Sequence, residues 1–428
     1  MKELRYPANV QWELTPVCNH DCIHCYNYWR NDPAPLAHPD IDYLEIAKII
    51  AAAHPVHVVL TGGEPLLVFH KTYEAAKYLF EQGIYVSWNT NGTLVTHDIA
   101  KKMKEINAGA FVSLPSGNAE ICNRITNAKS SLDRIARGIT CLLAEDVKVS
   151  VNMVISSYNI DSIYETAEFA KKLGVSQFCM APASRPIGAD MAFDDMAPPE
   201  NIVSIMCTTG IKIENELGMS VSLTGALPGC AFETKPVFQR FAYSKSCTAG
   251  KTGYSIDAYG NAKACARDSK VYGNLFADSI SDIWTRMSEW RDGSLIPVDC
   301  KACKALSMCH GGCRLEAFSS TGSRSGMDTF AKCRLIPPPF EKAVPEYQWS
   351  DSTMFKAVAA INWIKEDFGW RVSSGPRFTY VTDTTKEWLQ SHPTFSLSEM
   401  VSSFGSENCK IVKTTIQILA NAGIILSI

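Results

Sequence analysis

From Val10 to about Met180 the chain alternates short apolar runs with longer amphipathic ones, and this alternation limits the fold more than any other feature of the sequence. Residues 11–15, 56–61, 85–89, 110–114, 148–154 and 177–180 read as strands. Between them, residues 43–53, 71–81, 130–143 and 163–173 carry helical periodicity. Repeated strand–helix alternation predicts a parallel sheet covered by helices. Residues 183–229 are poor in strand signals, contain a helical run at 200–217 and end in a turn-like stretch at 224–229, so they read as a bridge out of this alternating region.

Two motifs stand just past the first two strand runs. The first is Cys18-Asn-His-Asp-Cys22-Ile-His-Cys25, three thiols in C-x3-C-x2-C spacing. Such thiols can converge on one iron–sulfur cluster. A [4Fe–4S] cube normally takes four cysteines, so three leave one iron open to a ligand that is not protein. A Cys3His zinc site is the alternative, because His20 and His24 sit among the thiols. The second motif, Thr61-Gly62-Gly63-Glu64-Pro65, favours the cluster. Paired glycines let backbone approach a ligand closely, and the carboxylate can hold a cationic amine.

Bulk properties remove several classes. A chain of 428 residues suits two or three domains. A net charge of −3 gives no reason to expect nucleic acid or an anionic membrane as partner. The opening Met1-Lys-Glu-Leu-Arg-Tyr-Pro lacks the apolar stretch of a secretory signal. No run approaches the roughly twenty apolar residues of a membrane span. The chain reads as soluble and cytoplasmic. Its 16 cysteines then point to metal rather than to a secreted disulfide framework. Cys122, Cys141, Cys179, Cys207 and Cys409 are scattered among apolar neighbours and read as core thiols.

The two motifs, in this order, resemble the radical S-adenosylmethionine (SAM) enzymes. The resemblance implies a partial (β/α)6 barrel of the TIM type, with its chemistry at the C-terminal edge of the strands. It implies a SAM-binding [4Fe–4S] cluster on Cys18, Cys22 and Cys25, and a SAM pocket formed by Gly62, Gly63, Glu64 and Asn91. Ser113 and Arg124 would hold the SAM carboxylate, which a guanidinium matches bidentately. Met180 would lie by the adenine, as would His24, which stands where the family usually has an aromatic. Asn91-Gly92 is also a common turn signal, Arg124 also reads as a surface arginine, and His24 also reads as a packed side chain.

Further on come Cys230, Cys247, Cys265, Cys300, Cys303, Cys309, Cys313 and Cys333. The block C-x2-C-x5-C-x3-C, with Gly260 five residues before Cys265, resembles the SPASM domain that follows the barrel in peptide-modifying enzymes. Paired zinc knuckles are the rival. By resemblance Cys300, Cys303, Cys309 and Cys333 bind an outer auxiliary cluster, while Cys247, Cys265 and Cys313 bind an inner one. Cys230 is the candidate for the inner cluster's fourth ligand. Three [4Fe–4S] clusters and SAM are the cofactors implied.

Pro337-Pro-Pro339 marks a linker, since proline cannot continue a helix. Past it, residues 352–368 read as helix, 370–381 as two strands about Gly375-Pro376, and 384–390, 396–404 and 408–421 as three helices. Ser396 and Glu399 form a capping box. Two strands and three helices resemble the leader-peptide recognition element typified by the peptide chaperone of pyrroloquinoline quinone biosynthesis, and a plain winged-helix cap is the alternative. Most such maturases carry that element at the N-terminus, whereas here Met1 lies almost at the barrel. The domains expected are a barrel at 1–220, a SPASM unit at 221–340 and a small α+β domain at 341–428. The function implied is a radical SAM maturase that cross-links a ribosomally made precursor peptide, in the manner of the cyclophane-forming or darobactin-type enzymes, with a flavodoxin or ferredoxin as electron donor. Thioether synthesis, epimerisation, formylglycine formation and a non-catalytic electron carrier are the alternatives. Formylglycine-forming enzymes carry an acid after the cysteine equivalent to Cys265, and here that position is Ala266. Asp257, Asp268 and His310 are chemically able bases near cluster cysteines.

Overall fold

The structure, a computed structural model, describes residues 3–27, 40–187, 191–232, 236–238, 240–242, 247–332 and 349–428. Seven strands carry the first half: β1 (Asn9–Glu13), β2 (His57–Thr61), β3 (Tyr85–Thr90), β4 (Gly109–Ser113), β5 (Lys148–Ile155), β6 (Gln177–Pro182) and β7 (Ser220–Leu223). They pair in chain order, all parallel. The helices are α1 (Tyr43–Ala52), α2 (Phe69–Glu81), α3 (His97–Glu105), α4 (Ala119–Thr126), α5 (Ser131–Ala144), α6 (Ile163–Lys172) and α7 (Ile202–Leu217). This is the parallel sheet expected from the periodicity and the partial barrel that the resemblance implies, with one strand more. β7 and the short polar helices α3 and α4 lack a periodic run long enough to show in sequence.

Side-chain alternation divides each strand between two faces. Trp12 and Trp88 are fully buried on the helix side, where their rings meet Tyr43 of α1 at 6.1 Å and Phe69 of α2 at 5.7 Å. Residues one step along, such as Glu13, Thr61, Asn89, Ser113 and Asn152, line the inner face, which is polar.

Three strands from the second cysteine-rich region extend the same sheet. They are β8 (Gly253–Ile256), β9 (Asn261–Lys263) and β10 (Val271–Asn274), giving ten strands in the order β10-β9-β8-β1-β2-β3-β4-β5-β6-β7. β8 runs parallel to β1, with Asn9 opposite Gly253, and β9 and β10 fold back antiparallel. Lys263 on β9 and Glu13 on β1 form a buried ion pair at 3.0 Å across this junction. The short helices α8 (Ile280–Arg286), α9 (Leu306–Cys309) and α10 (Arg314–Thr321) follow. The auxiliary region is thus hydrogen-bonded into the barrel sheet, and position 220 falls inside β7.

The tail corrects one expectation. Residues 352–368 are not helical but form β11 (Met354–Ala357) and β12 (Asn362–Glu366). Phe355 is buried on β11, opposite Phe395. Alanine and lysine give this stretch helical propensity, and long-range pairing overrides it. β12 joins β13 (Gly369–Ser374) and β14 (Arg377–Val381) in one antiparallel sheet, and β11 lies between β15 (Thr394–Ser396) and β16 (Ile425–Ser427) in another. The helices α11 (Asp383–Ser391), α12 (Leu397–Phe404) and α13 (Cys409–Asn421) appear as expected, with the Ser396–Glu399 capping box formed. The proline stretch at 337–339 lies outside the described residues.

The tail docks on the N-terminal ends of the barrel strands. Phe368, Phe378 and Tyr380 pack on Leu4, Ala8 and Val56. Arg371 donates to the His54 carbonyl at 3.0 Å and pairs with Glu366 at 3.4 Å, both side chains 1% exposed. Asn362 donates to the Gly83 carbonyl at 2.7 Å. Among the described residues no helix is long and apolar enough to cross a membrane.

Candidate active site

The two motifs of the first strands form one clasp at the C-terminal edge of the sheet. Past the end of the β1–β2 pairing, the Gly63 amide donates to the Thr15 carbonyl at 2.7 Å and the Glu64 amide donates to the Val17 carbonyl at 2.9 Å. A Cβ on Gly63 would lie 2.1 Å from the Val17 carbonyl oxygen, and one on Gly62 would lie 2.4 Å from that of Thr15. The glycines are therefore required by the cysteine loop itself, which closes directly on them.

Glu64 does not present a bare carboxylate to a ligand. It is buried and accepts from the Thr90 hydroxyl at 2.6 Å and from the Leu66 and Asn91 amides at 3.1 and 2.8 Å. Burial pushes its carboxyl up to about 7 against these three donors. Its visible work is to tie the end of β2 to the end of β3. Asn91 carries the tie onward: its side-chain amide donates to Asn19 at 2.7 Å, and Asn19 donates to Thr93 at 2.9 Å. Sequence reasoning missed Asn19, Thr90 and Thr93, because single polar residues at a strand end or on a loop carry no periodic signal.

The other side of the loop rests on α4. The Asp21 and Ile23 amides donate to the carbonyls of Thr126 and Ile125, which have no partner within the helix itself. Ser113 is exposed at the end of β4. Arg124 sits one residue from this contact, its guanidinium 3.8 Å over the Tyr158 ring. Met180 departs from its expected place. Its side chain is fully buried against Gly210 of α7, on the helix side, and only its backbone faces the strand-end region, accepting from the Thr224 amide at 2.9 Å. Burial holds the His24 ring down to about 4, so it is neutral.

Burial, then repulsion from Cys25 and Cys18, pushes the Cys22 thiol up, and burial pushes Cys25 up to about 11. Three thiols this crowded need a polycationic centre to hold them ionised. The donor set fits a cluster.

The second cysteine group divides in two. Burial, with the nearby Cys247 adding to it, pushes the Cys265 thiol up to about 11 and the Cys313 thiol up to about 12. Arg267 pairs with Glu316 at 3.1 Å and directs a second nitrogen to the Cys313 sulfur at 3.7 Å. Cys230 lines a cavity with Cys300, Cys303 and Cys309, where the backbone turn at Gly229–Ala231 carries it. Cys333 lies outside the described residues. The regions meet at the Glu13–Lys263 pair: Glu13 ends β1, which leads into the cysteine loop, and Lys263 lies two residues before Cys265. Of the candidate bases, Asp257 is consumed by the β8–β9 turn, accepting from the Tyr259 and Asn261 amides. Asp268 is fully buried and paired with Arg324. His310 caps α9 with its ring held down to about 4 by burial and by Lys251.

A barrel carrying a three-thiol loop, clasped to a Gly-Gly-Glu turn, beside a cysteine-rich extension defines a class. Residues 12–170 match the Radical SAM superfamily, and residues 247–313 match the SPASM iron–sulfur cluster-binding domain. The protein is a radical SAM enzyme with a SPASM domain, and SAM and [4Fe–4S] clusters are the cofactors typical of that class. It is 25% identical over 331 residues to the AdoMet-dependent heme synthase of Methanosarcina barkeri, covering 74% of this chain and 93% of that one. It is 27% identical over 334 residues to mycofactocin maturase MftC of Mycolicibacterium smegmatis, covering 73% and 79%. The fold resembles anSMEcpe with bound AdoMet (TM-score 0.61, 16% identity, 76% of this chain and 94% of that one). It also resembles Streptococcus suis SuiB bound to its precursor peptide SuiA (TM-score 0.62, 18% identity, 78% and 77%).

Proposed function

We propose that the protein is a peptide maturase that joins a β-carbon to an aromatic ring, Trp above all, in a ribosomally made precursor. Cys18, Cys22 and Cys25 hold the SAM-binding cluster. The later cysteines hold two auxiliary clusters, three in all, with a flavodoxin or ferredoxin as donor. When bound, SAM and these clusters supply the 5′-deoxyadenosyl radical and an electron acceptor. The chain supplies position. The Gly62–Glu64 clasp and α4 fix the cysteine loop, and Ser113 and Arg124 hold the SAM carboxylate.

The observation that carries this reading is the junction of β1 with β8 and the buried Lys263–Glu13 pair at 3.0 Å, which set Cys265, two residues past Lys263, beside the strand that leads into the Cys18–Cys25 loop. A net two-electron oxidation of substrate needs an electron acceptor that epimerisation does not, and auxiliary clusters on the sheet extension suit that role. Ala266 supports the same choice, because the acid of formylglycine formation is missing. Mycofactocin maturase among the relatives supports a peptide substrate. The heme synthase relative favours a second reading, a tetrapyrrole substrate.

The tail fits leader binding, in which an extended peptide adds a strand to the free edge of the β12–β14 sheet. That sheet docks opposite the cysteine edge, so leader and modified residues are separated by at least the length of a five-residue strand, about 17 Å. The test is mass spectrometry of the precursor after anaerobic reaction. A loss of about 2 Da per linkage with no precursor cysteine consumed supports the cross-link. Unchanged mass with deuterium taken from solvent shows an epimerase, and turnover of a porphyrin instead of peptide shows the second reading.

A further inference from the structure

The barrel and its cysteine-rich extension meet along β1 and β8, and the two ends of that seam are held differently. At the Asn9 end the backbone holds it. The Ala8 and Asn9 amides both donate to the Thr252 carbonyl, at 2.8 and 2.9 Å, and a Cβ on Gly253 would lie 2.9 Å from the Asn9 carbonyl oxygen. The pairing runs from Asn9 opposite Gly253 to Trp12 opposite Ile256 and stops there. The extension then turns on itself, the Asp257 amide donating to the Asn261 carbonyl within its own hairpin. Past that point β1 continues through Glu13 towards Cys18, and β9 ends at Lys263, two residues before Cys265. A side-chain contact spans the seam here: Lys263 Nζ donates to Glu13 at 3.0 Å, with both residues buried.

A buried ion pair adds little net stability, because both charges give up their water to meet, and an apolar pair of like volume is often as stable or more so. Apolar side chains do not supply direction. A charge-assisted hydrogen bond closes at one short distance, whereas methyl groups slide past one another. We propose that Glu13 and Lys263 are positioning residues that close the seam where its backbone pairing has ended, and so fix Cys265 relative to the Cys18–Cys25 loop. The substrate radical left by hydrogen abstraction must pass one electron to the auxiliary region and one proton to water. That placement therefore governs how many SAM cleavages end in product. The electron path rests on the proposed reading of Cys265 as an auxiliary-cluster ligand.

The test uses the full-length enzyme, reconstituted anaerobically, as wild type, Lys263→Met, the apolar pair Glu13→Leu/Lys263→Met and the exchanged pair Glu13→Lys/Lys263→Glu. Three readouts separate position from stability. The first is hydrogen exchange at the amides of β8 and β9. The second is the distance distribution, by pulsed EPR with the clusters oxidised, between encoded spin labels replacing the exposed Lys71 and Tyr259. The third is the ratio of 5′-deoxyadenosine formed to peptide modified. Lys263→Met leaves Glu13 buried without that cation and is expected to speed exchange on the order of 100-fold. The apolar pair is expected to bring exchange back to within about tenfold of wild type, yet to keep a broadened distance distribution and a ratio raised several-fold. The exchanged pair is expected to restore all three.

An apolar pair that matches wild type in its distance distribution would overturn the proposal, because any side chains that fill the space would then serve. A broadened distribution with an unchanged ratio would support the positioning and overturn the reading of Cys265 as a ligand on the electron's path. If the apolar pair does not fold, Lys263→Met and the exchanged pair decide. A narrow distribution in the exchanged pair beside a broad one in Lys263→Met supports the proposal, and equal distributions in the two contradict it.

Discussion

Gly63→Ala is the smallest change that should separate the clasp. The new Cβ would lie 2.1 Å from the Val17 carbonyl oxygen, about 1.3 Å short of the 3.4 Å at which ordinary contact begins, with the Pro16 oxygen at 2.7 Å. Both obstacles are backbone, so no rotamer can relieve them. The clasp must open by about that distance, which stretches the bonds from Gly63 to Thr15 and from Glu64 to Val17, now 2.7 and 2.9 Å, past useful range. Two such bonds are worth about 2–3 kcal/mol together, a roughly 30- to 150-fold shift against the closed loop. The expected result is loss of about a third of the reconstituted iron and of 5′-deoxyadenosine formation, while the auxiliary clusters stay. Gly218→Ala is the control. That residue has φ +62 with nothing within 4 Å of a Cβ, so it carries backbone strain of about 1 kcal/mol and should keep all its iron. If Gly63→Ala retains full iron and SAM cleavage, the glycines do not serve the loop as argued.

Changing Cys18, Cys22 and Cys25 together to Ala should abolish SAM cleavage and leave roughly two thirds of the iron; complete iron loss would show that the auxiliary sites are not independent. Because burial raises the Glu64 carboxyl from 4.5 to about 7, the fold keeps its proton where the unfolded chain has lost it. Stability should therefore fall as pH rises from 4.5 to about 7, and Glu64→Gln should remove that part of the slope in thermal melts of the apoprotein; an unaltered slope refutes it. Arg371→Ala leaves Glu366 buried without its cation, at a cost of about 3–5 kcal/mol. Hydrogen exchange should rise around His54 and Gly83 and precursor affinity should fall, while peptide-independent SAM cleavage persists; unchanged exchange would mean the tail does not dock through this pair.

The barrel was legible because its signal is periodic: alternating strands that bury Trp12, Leu60 and Trp88 on one face declare themselves over many residues. The cysteines were legible because metal ligation leaves fixed spacings. The features that escaped depend on geometry that one dimension does not carry. Glu64 reads in sequence as a ligand for an amine, and nothing there shows that its carboxyl also accepts from the Thr90 hydroxyl and the Asn91 and Leu66 amides. Met180 was placed at the right strand end, but a single step of alternation turns its side chain to α7. Cys230 stands nearest in sequence to Cys247, yet a three-residue turn delivers it to Cys309. In the tail, residues 352–368 have helical composition, and only the distant partner Phe395 makes a strand of Met354–Ala357.

We propose that this enzyme takes a hydrogen atom from a β-carbon of a peptide, and isotope transfer is the sharpest check. A precursor deuterated at the β-carbon of the residue to be linked is incubated anaerobically with reconstituted enzyme, SAM and a reductant. The 5′-deoxyadenosine formed is then analysed by mass spectrometry. One deuterium is expected in that product for each linkage made. Modified peptide accompanied by unlabelled 5′-deoxyadenosine, or by label arriving only from an α-deuterated precursor, would contradict it.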